Sequence, residues 1–182
     1  MKKSDIRWAI RIVASSIVLA TVFTLLSTAA MEEAGYVVAF FVLFLLIVVG
    51  IVFDMIGVAV TAADETPFHS MAAHGCLAAK EAIRLIKNAG RVANICNDVV
   101  GDITGIISGV AMAVLSARLV ADYALHSLAI HLTISGLVVG LTIGGKALGK
   151  GAAIRSSTGI VYFTARSLYR IKWLGNKLTG RR

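Results

Sequence analysis

Long apolar segments separated by short polar ones dominate this sequence. Four stretches, near residues 8–30, 36–61, 91–117 and 123–143, are long enough to cross a bilayer as helices, since about 20 apolar residues suffice. The pattern predicts an all-α integral membrane protein. We expect three core transmembrane helices, one additional N-terminal transmembrane helix, a juxtamembrane helical hairpin and a C-terminal amphipathic helix.

The first apolar run is either a retained transmembrane helix or a cleavable signal peptide. Residues 27–30 are small enough for cleavage, whereas the length of the run favours the retained helix. The predicted organisation is an N-terminal helix with an outer loop over 1–35, a membrane domain over 36–174 and a basic tail over 175–182.

The segment between the second and third spans has helix signals of its own. Thr66 can cap a helix and Pro67 suits its first position, where no N–H donor is needed. A turn is expected at His74–Gly75, followed by an amphipathic helix that Gly90 ends. The segment therefore predicts a helical hairpin lying at the inner membrane surface.

The composition supports a membrane protein and makes several other classes improbable. Of 182 residues, 58% are hydrophobic, and the mean hydropathy is +0.84. The net charge of +8 comes from Lys and Arg outside the apolar runs, which indicates cytosolic loops and contact with anionic lipid rather than nucleic acid. The charge bias predicts a multi-pass protein of the plasma membrane with both termini in the cytosol. Neither an enzyme signature nor a disulfide framework is present, because Cys76 and Cys96 are too few.

The third span is unusual because it carries polar residues at helical spacing. Asn94, Asn97, Asp98 and Asp102 fall on one broad face together with a strip of glycines. Charged groups in lipid are costly, so we expect this face to form the inner wall of the bundle and to bind a cation. The alternatives are that the two carboxylates are solvated or accept structural hydrogen bonds, and that the two amides only join helices. His126 and His131 are five residues apart, a spacing that does not favour a metal pair.

The order of these segments resembles the transmembrane domain of the CNNM/CorC family of magnesium and cobalt transport proteins. The resemblance covers approximately residues 36–171 and rests on four short motifs. These are Phe53-Asp-Met-Ile-Gly-Val-Ala-Val60, Ala72-Ala-His-Gly-Cys-Leu-Ala-Ala-Lys-Glu-Ala-Ile-Arg-Leu-Ile86, Asn97-Asp-Val-Val-Gly101 and Gly145-Lys-Ala-Leu-Gly-Lys150. The resemblance implies three transmembrane helices, a juxtamembrane hairpin, a homodimer and a cation pocket.

The chain departs from the family at the pocket itself. Asn97 matches, whereas Asp54 stands in place of a Ser, Gly101 in place of a second Asn and Lys146 in place of a Glu. The resemblance implies that Asp54 and Lys146 face each other, either as a charge gate or as a structural ion pair. We therefore expect a reduced form of the family's domain, without the cytosolic domains of typical members.

The sequence therefore predicts a protein that binds or transports a cation, either Mg²⁺ or Na⁺ coupled to H⁺. Asp98, Asp102, Asn94 and Asn97 are the predicted ligands, with Asp98 and Asp102 as metal ligands. Asp54 and Lys146 are the predicted gate. The alternative is a non-transporting membrane scaffold or partner subunit in which the lysine occupies the pocket.

Overall fold

The computed structural model describes residues 10, 13–22, 24–25, 29, 35–123 and 127–178. Helices account for nearly all of these residues, and the described part of the chain contains no strand. Three helices are long and apolar enough to cross a membrane: Tyr36–Ala62, Ala89–Tyr123 and Leu128–Arg155. The predicted all-helical class is therefore confirmed, and the three apolar helices are compatible with a membrane protein. Much of the predicted N-terminal helix, and His126, lie outside the described residues.

Within residues 35–123 and 127–178 the helices follow one another with short connections. In chain order they are α1 (Val13–Val22), α2 (Tyr36–Ala62), α3 (Thr66–Ala73), α4 (Leu77–Lys87), α5 (Ala89–Ala93), a π-helical segment (Asn94–Val100), α6 (Gly101–Tyr123), α7 (Ser127–Arg155) and α8 (Ser157–Leu178). Because α5, the π-helical segment and α6 are continuous, the third predicted span is one long helix with a wider turn inside it.

The chain forms two units, and the first comprises residues 1–51 and 99–145. Its core is built from apolar side chains of α2, α6 and α7, namely Ala39, Leu43, Ile47, Ala111, Leu115 and Val138. At the start of α2 the Tyr36 hydroxyl donates to Asp122, and the Arg118 guanidinium lies 5.6 Å from the centre of the Tyr36 ring. Cation–π and hydrogen-bond contacts thus join α2 to the end of α6.

The second unit comprises residues 52–98 and 146–182. Its apolar core joins the end of α2 to the hairpin and to α8, through Ala59, Val60, Phe68, Ala82, Ala153, Val161 and Ala165. Glu81 on α4 receives the Lys172 Nζ of α8 at 2.7 Å and the Arg84 Nη1 at 2.9 Å. Apolar burial and this ion pair together hold α8 against α4.

The hairpin forms where the sequence predicted it, with a different cap. Gly75 adopts φ +83° in the turn between α3 and α4, a conformation that favours glycine. Thr66 is the first residue of α3, and the Asp64 carboxylate accepts from the Thr66 N–H at 3.1 Å and from the Thr66 hydroxyl at 3.0 Å. These hydrogen bonds hold the pKa of Asp64 below its usual value. Gly90 does not end α4, because it lies inside α5.

Two segments outside the predicted spans are helical. Residues 118–122, between the predicted spans 91–117 and 123–143, are the last turns of α6, and the Gly-rich residues 144–151, beyond the predicted end of the fourth span, continue α7 to Arg155. A helix satisfies its own backbone groups, which lipid cannot do, so glycine content alone does not end a helix at membrane depth. As a result, Lys146 and Lys150 lie on a helix.

Phe68 tests the packing of the second unit. Its side chain is 0% exposed, so Phe68→Ala should leave a cavity and lower the free energy of unfolding by about 3–5 kcal/mol. The matched control is Phe163→Ala on α8, where the side chain is 72% exposed. Denaturant unfolding in detergent micelles measures both, and equal losses would contradict the packing described for Phe68.

Candidate functional site: a buried carboxylate and amide

Asp54 is the only charged side chain that is buried among the described residues. It lies in α2, in the second unit, and is 4% exposed. Its Oδ2 atom lies 3.7 Å from the Nζ of Lys150 on α7. That distance is too long for a hydrogen bond, and Oδ2 has no hydrogen-bond partner in the described structure. Lys150 thus balances the charge of the carboxylate in part, but Oδ2 accepts no hydrogen bond from the described residues.

Asn97 supplies a second unused acceptor in the same unit. It lies in the π-helical segment, and its Oδ1 atom is buried without a hydrogen-bond partner among the described residues. A Cβ added at Gly57 would overlap this amide, so the absence of a side chain at Gly57 lets Asn97 approach α2. Gly57 lies three residues after Asp54, hence on the same face of α2. The amide therefore packs one helical turn from the carboxylate position.

Hydroxyl groups in the long helices behave differently from these two residues. The hydroxyls of Thr61, Thr104 and Thr142 donate to carbonyls of the preceding turn at 2.7–2.9 Å, the usual arrangement in helices. Asp54 Oδ2 and Asn97 Oδ1 cannot bond in this way, because each is an acceptor and cannot donate to a backbone carbonyl. An acceptor of this kind needs a donor or a cation.

The energetic cost of this arrangement is considerable. Removing an ion from water costs several kcal/mol even after relaxation. Lys150 offsets only part of that cost, because its side chain is 51% exposed and its Nζ is 3.7 Å away. The two oxygen atoms can serve as hard ligands for a proton or for a small cation, which would supply the missing compensation.

The partner of Asp54 differs from the predicted one. We expected Lys146 to face this carboxylate, but the structure gives Asp54 the side chain of Lys150, one helical turn later. Lys146 is half-buried and has no ion pair within the described residues. The continuation of α7 through the Gly-rich segment produces this change, since it fixes the two lysines at different heights along one helix.

The polar face of the third span does not form an inner wall within the chain. Asn94, Asp98 and Asp102 are exposed, and Asn97 is half-buried. Asp102 belongs to the first unit, whereas the other three belong to the second. The buried residues of α6 include Ile103, Ile107 and Leu115 together with small residues such as Ser108, whereas Ile106 is 64% exposed. The packing surface of the helix therefore excludes the acids that the sequence placed on its inner face.

Further predicted features also lie on the outside of the chain. The glycine strip of α7, Gly136, Gly140 and Gly144, is exposed and has no neighbour within 4 Å of an added Cβ. Ser116 Oγ lies 2.7 Å from His131 Nδ1, which gives that histidine a structural partner in the first unit. No three His, Cys, Asp or Glu side chains come together as a metal site in the described residues. Cation binding by Asp98 and Asp102 stays a prediction.

Gly57 and Lys150 are the two site residues that the sequence analysis missed. Gly57 is a single glycine one turn after an acid in an otherwise apolar helix, and such an isolated glycine often marks a close approach. Lys150 lies one turn after Lys146, beyond residue 143, where the fourth span was predicted to end. The π-helical segment had no recognisable signal, although segments of this kind occur frequently at functional sites.

Comparison with protein families, with curated proteins and with solved structures finds no match for this chain.

Gly57 gives a direct test of the contact between α2 and Asn97. Replacing a helical glycine by alanine ordinarily stabilises a helix by about 1 kcal/mol. In Gly57→Ala the new Cβ would overlap the Asn97 amide, so we expect a net loss of about 1–3 kcal/mol. Gly90→Ala, where an added Cβ meets nothing within 4 Å, should be neutral or stabilising in the same unfolding measurement.

The double variant Gly57→Ala/Asn97→Ala should recover most of the loss, because it removes the overlapping amide. If Gly57→Ala stabilises the protein as much as Gly90→Ala does, the close approach of Asn97 to α2 is wrong.

Proposed function

We propose that this chain is a multi-pass membrane protein that binds a cation at Asp54 and Asn97 and carries it across the bilayer. One observation carries the proposal: two buried acceptor oxygens, Asp54 Oδ2 and Asn97 Oδ1, have no donor in the described structure. Intramembrane acids usually serve binding or transport, because their burial is costly. The resemblance to the CNNM/CorC family supports the same site, since it aligns Asp54 and Asn97 with that family's cation pocket.

The ligand set favours a monovalent cation over Mg²⁺. Mg²⁺ requires near-octahedral coordination by oxygen atoms and retains several waters. Here one carboxylate and one amide are available, and the Lys150 ammonium lies 3.7 Å from Asp54. A divalent ion would meet repulsion from this lysine, whereas Na⁺ or H⁺ matches the single negative charge. In this proposal Lys150 competes with the cation for Asp54.

The proposed orientation follows from the distribution of charge. The hairpin and α8 are rich in Lys and Arg, so they lie at the cytosolic face with both termini, and anionic lipid is the expected neighbour. Together with the predicted N-terminal helix, the three apolar helices support a multi-pass membrane protein, and the plasma membrane is its proposed location.

The proposed assembly is a homodimer. The exposed glycine strip of α7 leaves open space around Gly136, Gly140 and Gly144, and strips of this spacing allow close contact between transmembrane helices. A second copy would also shield exposed carboxylates such as Asp98 and Asp102 from lipid, where a charged group is costly.

The second candidate is a membrane scaffold that does not transport. The observation in its favour is the ion pair itself, because Lys150 already supplies one positive charge to Asp54. In that case the pair is structural, and replacing both residues by apolar ones would leave the partner function intact.

Flux measurements in proteoliposomes distinguish the two candidates. The purified chain should accelerate Na⁺ or H⁺ flux above that of empty liposomes, with a weaker effect on Mg²⁺. Asp54→Asn and Asn97→Ala should each reduce the flux about tenfold or more, the effect of losing about 1.4 kcal/mol of binding energy. Asp64→Asn, which removes an acid outside the apolar helices, is the matched control and should retain the flux.

A wild-type flux equal to that of empty liposomes for Na⁺, H⁺ and Mg²⁺ alike would overturn the transport proposal and favour the scaffold.

A further inference from the structure

An apolar groove of about 340 Å³ lies between α2 and α8 in the second unit. Its walls carry aliphatic, aromatic and hydroxyl side chains and one glycine, and they contain no charged group. The lining residues are Val52, Met55, Ile56, Ser156, Gly159, Ile160, Phe163 and Thr164. Its volume falls within the range of ligand-binding pockets, about 300–1,000 Å³.

The groove is placed at the depth of lipid acyl chains. Val52 and Ile56 lie ten and six residues before the end of α2 at Ala62, so they are about 15 Å and 9 Å from that end. Half of the hydrocarbon core measures about 15 Å. The α2 wall of the groove therefore lies within one leaflet when α2 spans the membrane.

The two sides of α8 have different surroundings. Val161 and Ala165 are buried in the core of the second unit. On the other side, the groove residues from Ser156 to Thr164 recur at helical spacing, and Phe163 is 72% exposed. Further along this side Ile171 and Leu174 are also exposed. This side of α8 consequently presents an apolar surface to whatever lies beside α2.

The C-terminal part of the chain, which supplies the α8 wall of the groove, is basic and contains no acid of its own. The last 60 residues, 123–182, contain nine Lys and Arg and no Asp or Glu. Arg155 immediately precedes the groove residue Ser156, and Arg170 lies two turns beyond Phe163 on the same side of α8. Both arginines are exposed and have no ion pair within the described residues. Guanidinium groups of this kind bind phosphate strongly, often through two hydrogen bonds.

We infer that this groove binds one anionic phospholipid, with an acyl chain between α2 and α8 and the phosphate held by Arg155, while Arg170 adds positive charge further along α8. The apolar walls fit the chain, and the unpaired arginines fit the headgroup. The site is separate from the cation site at Asp54, so each can fail without the other.

Native mass spectrometry of the full chain in detergent tests the inference, with added palmitoyl-oleoyl phosphatidylglycerol or phosphatidylcholine. Wild type should retain one phosphatidylglycerol and bind it about tenfold more tightly than phosphatidylcholine, since each basic group near anionic lipid contributes measurably. Arg155→Gln/Arg170→Gln should abolish this preference while phosphatidylcholine is still bound. Lys80→Gln/Lys87→Gln, which removes the same charge from α4, should keep the preference.

A second pair of variants tests the groove itself. Gly159→Leu should abolish retention of both lipids, and it should fold because an added Cβ at Gly159 meets nothing within 4 Å. Gly151→Leu adds the same side chain on α7, outside the groove, with equal freedom, and should retain lipid.

Three results would overturn the inference. If the Gly159→Leu variant retains lipid at wild-type affinity, the groove is not the binding site. A loss of preference in Lys80→Gln/Lys87→Gln equal to that in the arginine variant would indicate diffuse charge attraction. If the wild type is a dimer and Gly159→Leu dissociates it, a second copy of the chain occupies the groove.

Discussion

A carboxylate placed among apolar helices has to be compensated, and the second unit is arranged around this constraint. Asp54 is buried in α2, Lys150 reaches it from α7, and Asn97 approaches α2 one turn further along. Each of these placements depends on a local feature. Gly57 leaves room for the amide, and the helical continuation of α7 carries Lys150 to the right height. The result is a pair of buried oxygen atoms, Asp54 Oδ2 and Asn97 Oδ1, that accept no hydrogen bond in the described structure.

The rest of the second unit holds this cluster in place from outside the apolar spans. Phe68, Ala82 and Val161 are buried together and join the hairpin and α8 to the end of α2. Lys172 and Glu81 add an ion pair between α4 and α8. At the turn of the hairpin, the Tyr162 hydroxyl near the Cys76 thiol lowers the pKa of that thiol. These contacts fix α8, which also forms one wall of the apolar groove.

The elements of the fold could be predicted well because they depend on hydropathy and a few local signals. Long apolar runs gave the three long helices, and Gly75 gave the turn of the hairpin. The helix ends were predicted less well. The fourth span was predicted to end near residue 143, whereas α7 continues through the glycines at 144–151 to Arg155. Helices in lipid continue where backbone groups would otherwise be unsatisfied, a requirement that residue preferences do not express.

The site could be predicted only in part, because periodicity does not reveal which face of a helix is buried. Asp54 and Asn97 were recognised as polar residues within apolar spans, and both have buried oxygen atoms. Asp98 and Asp102 were recognised by the same argument, yet they are exposed. The difference lies in which residues of α6 are packed inside, among them Ile103, Ile107 and Leu115, and in the π-helical segment, which changes the register of the polar residues. Neither effect follows from spacing alone.

The most direct test of the account is a double-mutant cycle on Asp54 and Lys150, measured as the free energy of unfolding in micelles. We expect Asp54→Asn and Lys150→Met each to destabilise the protein, and the double variant to lose about 1 kcal/mol less than the sum, a modest coupling because Lys150 is half exposed. Additive losses, or an unchanged stability in Lys150→Met, would contradict the claim that this lysine compensates the buried carboxylate.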